Sequence, residues 1–310
     1  MTKKYIVSPI ITTEEVKKLE GTFIPASYYK QIIDHDADVY WNDNGVIRLL
    51  FHYRKNAVPD KHVQAALKAF KKAAKIASSL RGKAGGQVEA SKVSSNVDHV
   101  VSEGKFKTKV AYKDGTISNY YVSNKVNSLI AGYFDQPKLS DKHDVITKNL
   151  IPCRTTIFTE RNTEKWKSVM PLMKLVDKFY AKHEPETHAK QYDLANKTPN
   201  FQIGDTAFST LTVNLNWRTA CHQDSGDFKN GYSAIMVAEE GIWKGGYLGY
   251  PRFGVCVDVR HGDLILKDPH QYHANTEIIG EGDYTRLSFV FYYRENMQKC
   301  TDTKENKRQE

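Results

Sequence analysis

Apolar and polar residues alternate along two separated stretches of the chain. Leu211, Val213 and Leu215 interleave with Thr212, Asn214 and Asn216, while Leu287, Phe289 and Phe291 interleave with Arg286, Ser288, Val290 and Tyr292. A period of two puts each set on its own face of a strand. Two further stretches predict hairpins: Val39 to Tyr53, turning at Asn44-Gly45, and Val110 to Val122, turning at Asp114-Gly115. Asn-Gly and Asp-Gly pairs tolerate the positive φ that tight hairpins require.

Helical spacing marks other regions. Thr12 or Thr13, followed by Glu14 and Glu15, opens a short helix ending near Leu19. Pro59-Asp60 opens a second, to about Leu80, with Val63, Ala66, Leu67 and Phe70 on one face and Lys68, Lys71, Lys72 and Lys75 opposite. From Thr163 to about His183, Trp166, Val169, Met173, Val176 and Tyr180 recur at helical spacing, and Pro171 predicts a bend. Arg154 to Thr159 reads as a strand. Beyond Pro199, turn signals at Ser225-Gly226, Lys229-Asn-Gly231, Glu240-Gly241, Gly245-Gly246 and His261-Gly262 cut the chain into short strands up to Arg294. The pattern predicts an α+β protein with a double-stranded β-helix (jelly-roll) core and supporting N-terminal helices and hairpins. Residues 1–150 are expected to form an α/β portion packed on that core, 151–298 the core itself, and 299–310 a disordered charged tail.

Composition narrows the class. With 310 residues, 40% of them hydrophobic, the chain can bury a sizeable core. A net charge of +9 suits a polyanionic partner, and Lys68 and Lys72 are read either as a solvated helix face or as phosphate contacts. The four cysteines, Cys153, Cys221, Cys256 and Cys300, form no C-x-x-C pair, which argues against a disulfide framework or a zinc site. Cys221 and Cys256 read as buried free thiols. No apolar run approaches the roughly 18 residues of a membrane span, and no signal-peptide core is present, so a soluble intracellular protein with no membrane partner is expected.

The chemistry collects at strand ends. His222-Gln-Asp224 follows the first alternating strand, and residues two apart on extended backbone point the same way. After the apolar run Leu264-Ile-Leu266 come His270 and His273, either of which reaches such a site; His273 is favoured because His-Ala-Asn-Thr-Glu-Ile leads directly to the Arg286 strand. Two histidines and a carboxylate leave coordination positions open, the set suited to Fe(II) that must also bind molecular oxygen and an organic acid. Arg286 beside Ser288 offers a planar fork for the far carboxylate of 2-oxoglutarate. Asn214 and His261 are further cosubstrate candidates, with turn capping the alternative for His261, and His270 is the candidate support for a ligand.

Taken together, these residues resemble the TET/JBP family of Fe(II)- and 2-oxoglutarate-dependent DNA base dioxygenases, in particular compact phage and microbial members. The resemblance rests on His222-Gln-Asp224, His261-Gly-Asp-Leu-Ile-Leu, His273-Ala-Asn-Thr and Thr285-Arg286-Leu-Ser288-Phe-Val-Phe-Tyr292. It extends more loosely to Pro152-Cys-Arg154-Thr-Thr, the helix from Thr163 and Arg54-Lys55-Asn56, covering roughly residues 36–296. The cysteine-rich region of animal TET enzymes is absent, and Asp227 stands where those enzymes carry an asparagine. The resemblance implies hydroxylation of the C5-methyl of a pyrimidine in DNA, 5-methylcytosine first and thymine as the alternative. The base would be flipped from the duplex, with Asp227 and Tyr292 meeting it and Arg154, Lys68 and Lys72 holding phosphates. The rivals are a prolyl hydroxylase using the same iron chemistry and a non-catalytic DNA-binding protein.

Overall fold

The computed structural model of the chain describes residues 2–86, 96–102, 108–120, 125–135 and 153–300. A nine-stranded sheet runs in the order Lys3–Val7, Ala37–Asp43, Val46–Arg54, Leu264–Lys267, Ser233–Gly245, Ile278–Tyr292, Thr210–Leu215, Ser128–Phe134, Arg154–Thr155. Opposite it stands a four-stranded sheet, Ala274–Asn275, Leu248–Tyr250, Val255–Val257 and Gln31–Ile33. This is the expected α+β double-stranded β-helix. The expected division at residue 150 does not separate its strands. Val46–Arg54 pairs with Leu264–Lys267, Ser128–Phe134 with Thr210–Leu215, and Gln31–Ile33 with Val255–Val257.

The alternation seen in the sequence sorts the large sheet into two faces. Leu211, Val213, Leu287, Phe289 and Phe291 are fully buried on its back, against Val63, Ala66, Leu67 and Phe70 of the helix Asp60–Ile76 and Val176 and Tyr180 of the helix Met170–His183. Its front meets the small sheet through Ile235, Val237 and Ile265 against Leu248, Tyr250 and Val257. A mouth between the sheets is lined by Thr212, Asn214, Arg286, Ser288 and Tyr292, the polar partners of the buried set.

Several elements depart from the sequence reading. Arg154–Thr155 is a strand of two residues; Thr156 then caps the helix Ile157–Arg161 by accepting the Thr159 amide, so the predicted strand stops at the capping threonine. The region from Thr163 holds two helices, Thr163–Ser168 and Met170–His183, and Pro171 opens the second where its missing N–H is harmless. The long helix ends at Ile76, short of Leu80. Glu240-Gly241 is no turn: the strand Ser233–Gly245 continues through it as a bulge, with Gly241 at φ 78°. The helix Pro185–Asn196 carries little apolar periodicity, burying only Gln191 and Ala195, and the hydrophobic pattern does not announce it.

Other expectations match the structure. Thr12 caps Thr13–Lys18 in a capping box with Glu15. The hairpins turn at Asn44-Gly45 and Asp114-Gly115. Cys221 and Cys256 are buried and outside any disulfide, but Cys153 and Cys300 form a disulfide across 147 residues. Sequence spacing carries no signal of that pairing, because the fold brings the ends of two distant segments together. Residues 301–310 of the expected tail lie outside the described residues. Among the described residues no helix is long and apolar enough to cross a membrane.

Candidate active site

His222 and His273 are cross-strand neighbours. Each backbone N–H donates to the other's carbonyl, at 3.0 and 2.9 Å, and the two rings lie 4.4 Å apart. The tautomer follows from their remaining partners. Nδ1 of His222 lies 2.7 Å from the Ala220 carbonyl, and Nδ1 of His273 lies 2.9 Å from that of Gln271. A carbonyl only accepts, so both Nδ1 atoms carry the proton and both Nε2 atoms present a lone pair. Those lone pairs converge on Asp224, with Nε2 of His222 3.4 Å from Oδ1 and Nε2 of His273 3.3 Å from Oδ2. One donor atom from each of the three lies within 4.8 Å of the others. Burial, followed by the charge of Lys267, pulls the pKa of His273 down to about 4, which keeps it a neutral imidazole.

A fourth residue completes the cluster, and sequence reasoning missed it. Lys267 is fully buried, with Nζ 2.8 Å from Oδ2 of Asp224 and 3.3 Å from Nε2 of His273. Burial opposes the charge on Asp224, but the Lys267 ammonium beside it holds its carboxyl well below the usual range. Asp227 behaves oppositely. Burial and the neighbouring Asp224 charge push its carboxyl well above the usual range, and Oδ2 has no hydrogen-bond partner among the described residues.

Arg286 lies deeper. It is 3% exposed, its backbone N–H donates to Oδ1 of Asn216 at 2.7 Å, and its guanidinium stands 5.3 Å from the Trp243 ring centre. Its Nε finds no acceptor among the described residues. Burial, with the Arg260 guanidinium nearby, lowers its pKa to about 10, so it stays cationic at neutral pH. Gly246, at φ 64°, keeps this corner open, since a Cβ there would meet Trp243 at 2.9 Å. Across the same face runs a polar row: Nε of Arg81 donates to Oγ of Ser128 (2.9 Å), that hydroxyl to Oδ1 of Asn214 (2.6 Å), and Nδ2 of Asn214 to Oγ of Ser288 (3.4 Å). Ser128, Asn214 and Ser288 sit directly opposite one another on three adjacent strands. The whole borders a cavity of about 270 Å³ walled on its apolar side by Ile235, Leu248, Val259 and Val290.

The family model described as the oxygenase domain of the 2OGFeDO superfamily, Tet_JBP, matches residues 131–295. The chain belongs to the Tet_JBP family. It is 38% identical over 182 residues to the thymine dioxygenase JBP1 of Trypanosoma brucei brucei, covering 57% of this chain and 20% of that protein. To the thymine dioxygenase JBP1 of Crithidia fasciculata it is 37% identical over 169 residues, covering 53% and 19%. The chain thus spans about a fifth of the length of these curated relatives. The solved structure of NgTET1 in complex with 5mC DNA superposes with a TM-score of 0.52 over 96% of this chain and 97% of that one, at 10% identity, a likeness of fold. Fe(II) and 2-oxoglutarate are the cofactors of the 2OGFeDO superfamily, and the Tet_JBP match bears out the expectation of both.

Not every residue singled out in the sequence joins the Tet_JBP pocket. His222, Asp224, Asp227, His273, Asn214, Arg286, Ser288 and Tyr292 all line it. His270 does not; its Nε2 lies 3.1 Å from the Phe228 carbonyl. His261 does not line it either: its ring is held between Asp60 (3.0 Å) and the Glu239 amide (3.2 Å), so it ties a turn to a helix start. Arg154 stacks on Phe134, whose ring also meets the lining residue Arg294. It stands one aromatic ring outside the cavity. Lys68 and Lys72 are exposed on the outer side of Asp60–Ile76, and that helix packs behind the large sheet. They face away from the mouth, so the fold does not bring these two expected phosphate contacts to the cavity.

Proposed function

We propose that the chain is a DNA base dioxygenase using Fe(II) and 2-oxoglutarate, and that it hydroxylates the C5-methyl of a pyrimidine, thymine in the first place. The observation that carries the reading is the convergence of His222, Asp224 and His273 in one cavity with the Arg286 guanidinium, whose Nε has no acceptor among the described residues. The donors fit the iron: two neutral imidazole lone pairs and an ionised carboxylate on one side, with the cavity on the other. They fit the oxo acid as well, because a buried cation lacking an acceptor at Nε is matched by a carboxylate. With both bound, Fe(II) and 2-oxoglutarate supply the oxidation that places one atom of O2 in a C–H bond while the oxo acid leaves as succinate and CO2.

The chain's own residues do the positioning. The Ala220 and Gln271 carbonyls fix the two rings so that Nε2 faces inward. Lys267 occupies Oδ2 of Asp224 and restrains the carboxylate from rotating. Arg286 and Ser288 receive the far carboxylate, with Asn214 orienting the serine hydroxyl. Ile235, Leu248, Val259 and Val290 keep bulk water from the reacting methyl group. Asp227 and Tyr292 stand in the same cavity, where a flipped base would enter. Tyr292 is tethered to Thr212 and Arg294 at 3.2 and 3.3 Å.

Identity of 37–38% to thymine dioxygenases favours thymine over the 5-methylcytosine expected from the sequence motifs; the NgTET1 likeness bears on fold alone. A DNA substrate would fit the intracellular protein expected from the sequence. The deciding experiment is reaction with Fe(II), 2-oxoglutarate and duplexes containing thymine or 5-methylcytosine, followed by nucleoside mass spectrometry. 5-Hydroxymethyluracil is the expected product. 5-Hydroxymethylcytosine alone would reassign the base, and oxidation of a proline peptide with neither DNA product would sink the proposal.

A further inference from the structure

We infer that the chain carries a second metal centre, for a zinc-class divalent cation, where the hairpin Ala37–Asp43/Val46–Arg54 meets the end of the helix Met170–His183. One donor atom from each of Asp38, His52 and His183 lies within 4.8 Å of the others. Asp38 and His52 are direct cross-strand partners, with Oδ1 of Asp38 2.6 Å from Nδ1 of His52. On the far side of the ring, Nε2 of His52 lies 2.9 Å from Oε1 of Glu184. The His183 ring lies 5.1 Å from that of His52 and packs on Phe179 at 4.4 Å.

Three features mark this as a binding site beyond an ion pair. First, the His183 ring makes no hydrogen bond among the described residues, so its lone pair is uncommitted; burial, with Arg54 and His52 nearby, lowers its pKa to about 4 and keeps it neutral. Second, Asp38 takes both of its contacts, His52 and Arg54 (2.8 Å), on Oδ1, and its Oδ2 accepts none among the described residues. Third, Glu184 holds His52 from behind, the carboxylate–histidine arrangement that fixes a ligating ring and raises its basicity. With Nε2–H given to Glu184, a bound cation would take the place of the Nδ1 proton that His52 gives to Asp38.

The chemistry selects the ion. Two imidazoles and one carboxylate suit zinc and its neighbours, whereas Mg²⁺ and Ca²⁺ prefer all-oxygen shells. The nearby Arg54 guanidinium also disfavours an ion held by the carboxylate alone. Asp38 is partly open to solvent, so water can fill a fourth position. Bound there, the ion would clamp the outer hairpin of the large sheet to the helix layer behind it.

The test is metal counting on the full chain, stripped with a chelator, equilibrated with zinc and desalted, by inductively coupled plasma mass spectrometry. The parent is expected to hold one equivalent more than either His183→Gln or Asp38→Asn. The same loss of one equivalent is expected in a His222→Ala/Asp224→Ala background, which separates this centre from the proposed iron site. Zinc should also raise the melting temperature of the double variant but not of the triple variant carrying His183→Gln. Circular dichroism shows whether each variant is folded. Equal zinc counts in the parent and both folded single variants would overturn the inference, and would leave the reading of the His222 site untouched.

Discussion

Nζ of Lys267 lies 2.8 Å from Oδ2 of Asp224, and Lys267 is fully buried. A buried ammonium persists because the carboxylate beside it is ionised, and the carboxylate stays ionised because the ammonium is there. Lys267→Met breaks that reciprocity. In metal-free protein the variant is expected to lose about 3–5 kcal/mol of stability, the usual cost of removing one partner of a buried pair. A divalent ion then becomes the main counter-charge for Asp224, so Mn²⁺ should raise the melting temperature of the variant more than that of the parent. Equal shifts in a thermal melt would refute the coupling.

The two downstream histidines separate cleanly. Nε2 of His273 faces Asp224, whereas Nε2 of His270 faces the Phe228 carbonyl. His273→Gln is expected to abolish 2-oxoglutarate turnover and to weaken Fe(II) binding by well over tenfold. His270→Gln should keep metal affinity within a few fold. Isothermal titration of the anaerobic protein with Fe(II) distinguishes the pair, and the reverse ranking would make His270 the ligand.

At the far end of the cavity, Arg286→Lys exchanges a planar fork for a point donor. Losing one charge-assisted bond, about 1.5–3 kcal/mol, corresponds to a rise of about 10- to 150-fold in the KM for 2-oxoglutarate. Ser288→Ala should shift the same parameter less. Succinate release measured against cosubstrate concentration reads both.

Neighbouring positions on the strand Ile278–Tyr292 should fail in different ways. Phe289 is fully buried behind the sheet and Ser288 lines the cavity in front. Phe289→Ala is expected to cost about 3–5 kcal/mol in urea unfolding. Ser288→Ala should unfold like the parent while its kinetics change.

Alkali should weaken the fold through Cys256. Burial, then the charge of Asp258, raises its thiol from 9.0 to about 12. Above pH 9 the unfolded chain releases this proton and the folded chain retains it, so the native state binds more protons and stability falls as pH rises. The contribution is intact below pH 9 and is lost progressively up to about pH 12. Urea unfolding from pH 8 to 11 should show this decline, with a shallower slope in Cys256→Ala. Identical slopes would remove the thiol as a cause.

How much of this could be read in the sequence depended on whether the signal was local. The alternation around Val213 and Phe289 is local, and it gave both strands and their faces. His222 and Asp224 were legible for the same reason, being two residues apart at a strand end. Lys267 was not, because a lysine closing Leu264-Ile-Leu reads as a strand running out into solvent; only the fold shows that it runs into the carboxylate. Ser128 and Arg81 were hidden likewise, since their roles come from cross-strand register with Asn214. The lysines of Asp60–Ile76 illustrate the converse. Their charge pattern was plain, yet charge alone could not say that the helix lies behind the sheet.

The hairpin Ala37–Asp43/Val46–Arg54 has a practical corollary. The family match begins at residue 131, but Val46–Arg54 covers one side of Leu264–Lys267, the strand that carries Lys267. A fragment trimmed to the matched region would bare a row of unpaired amides and carbonyls beside Lys267 and its partner Asp224, and would strip the back of the sheet of the helix Asp60–Ile76. Such a piece should precipitate or self-associate on expression. The smallest unit of this chain that folds therefore starts well upstream of the region by which its family is recognised.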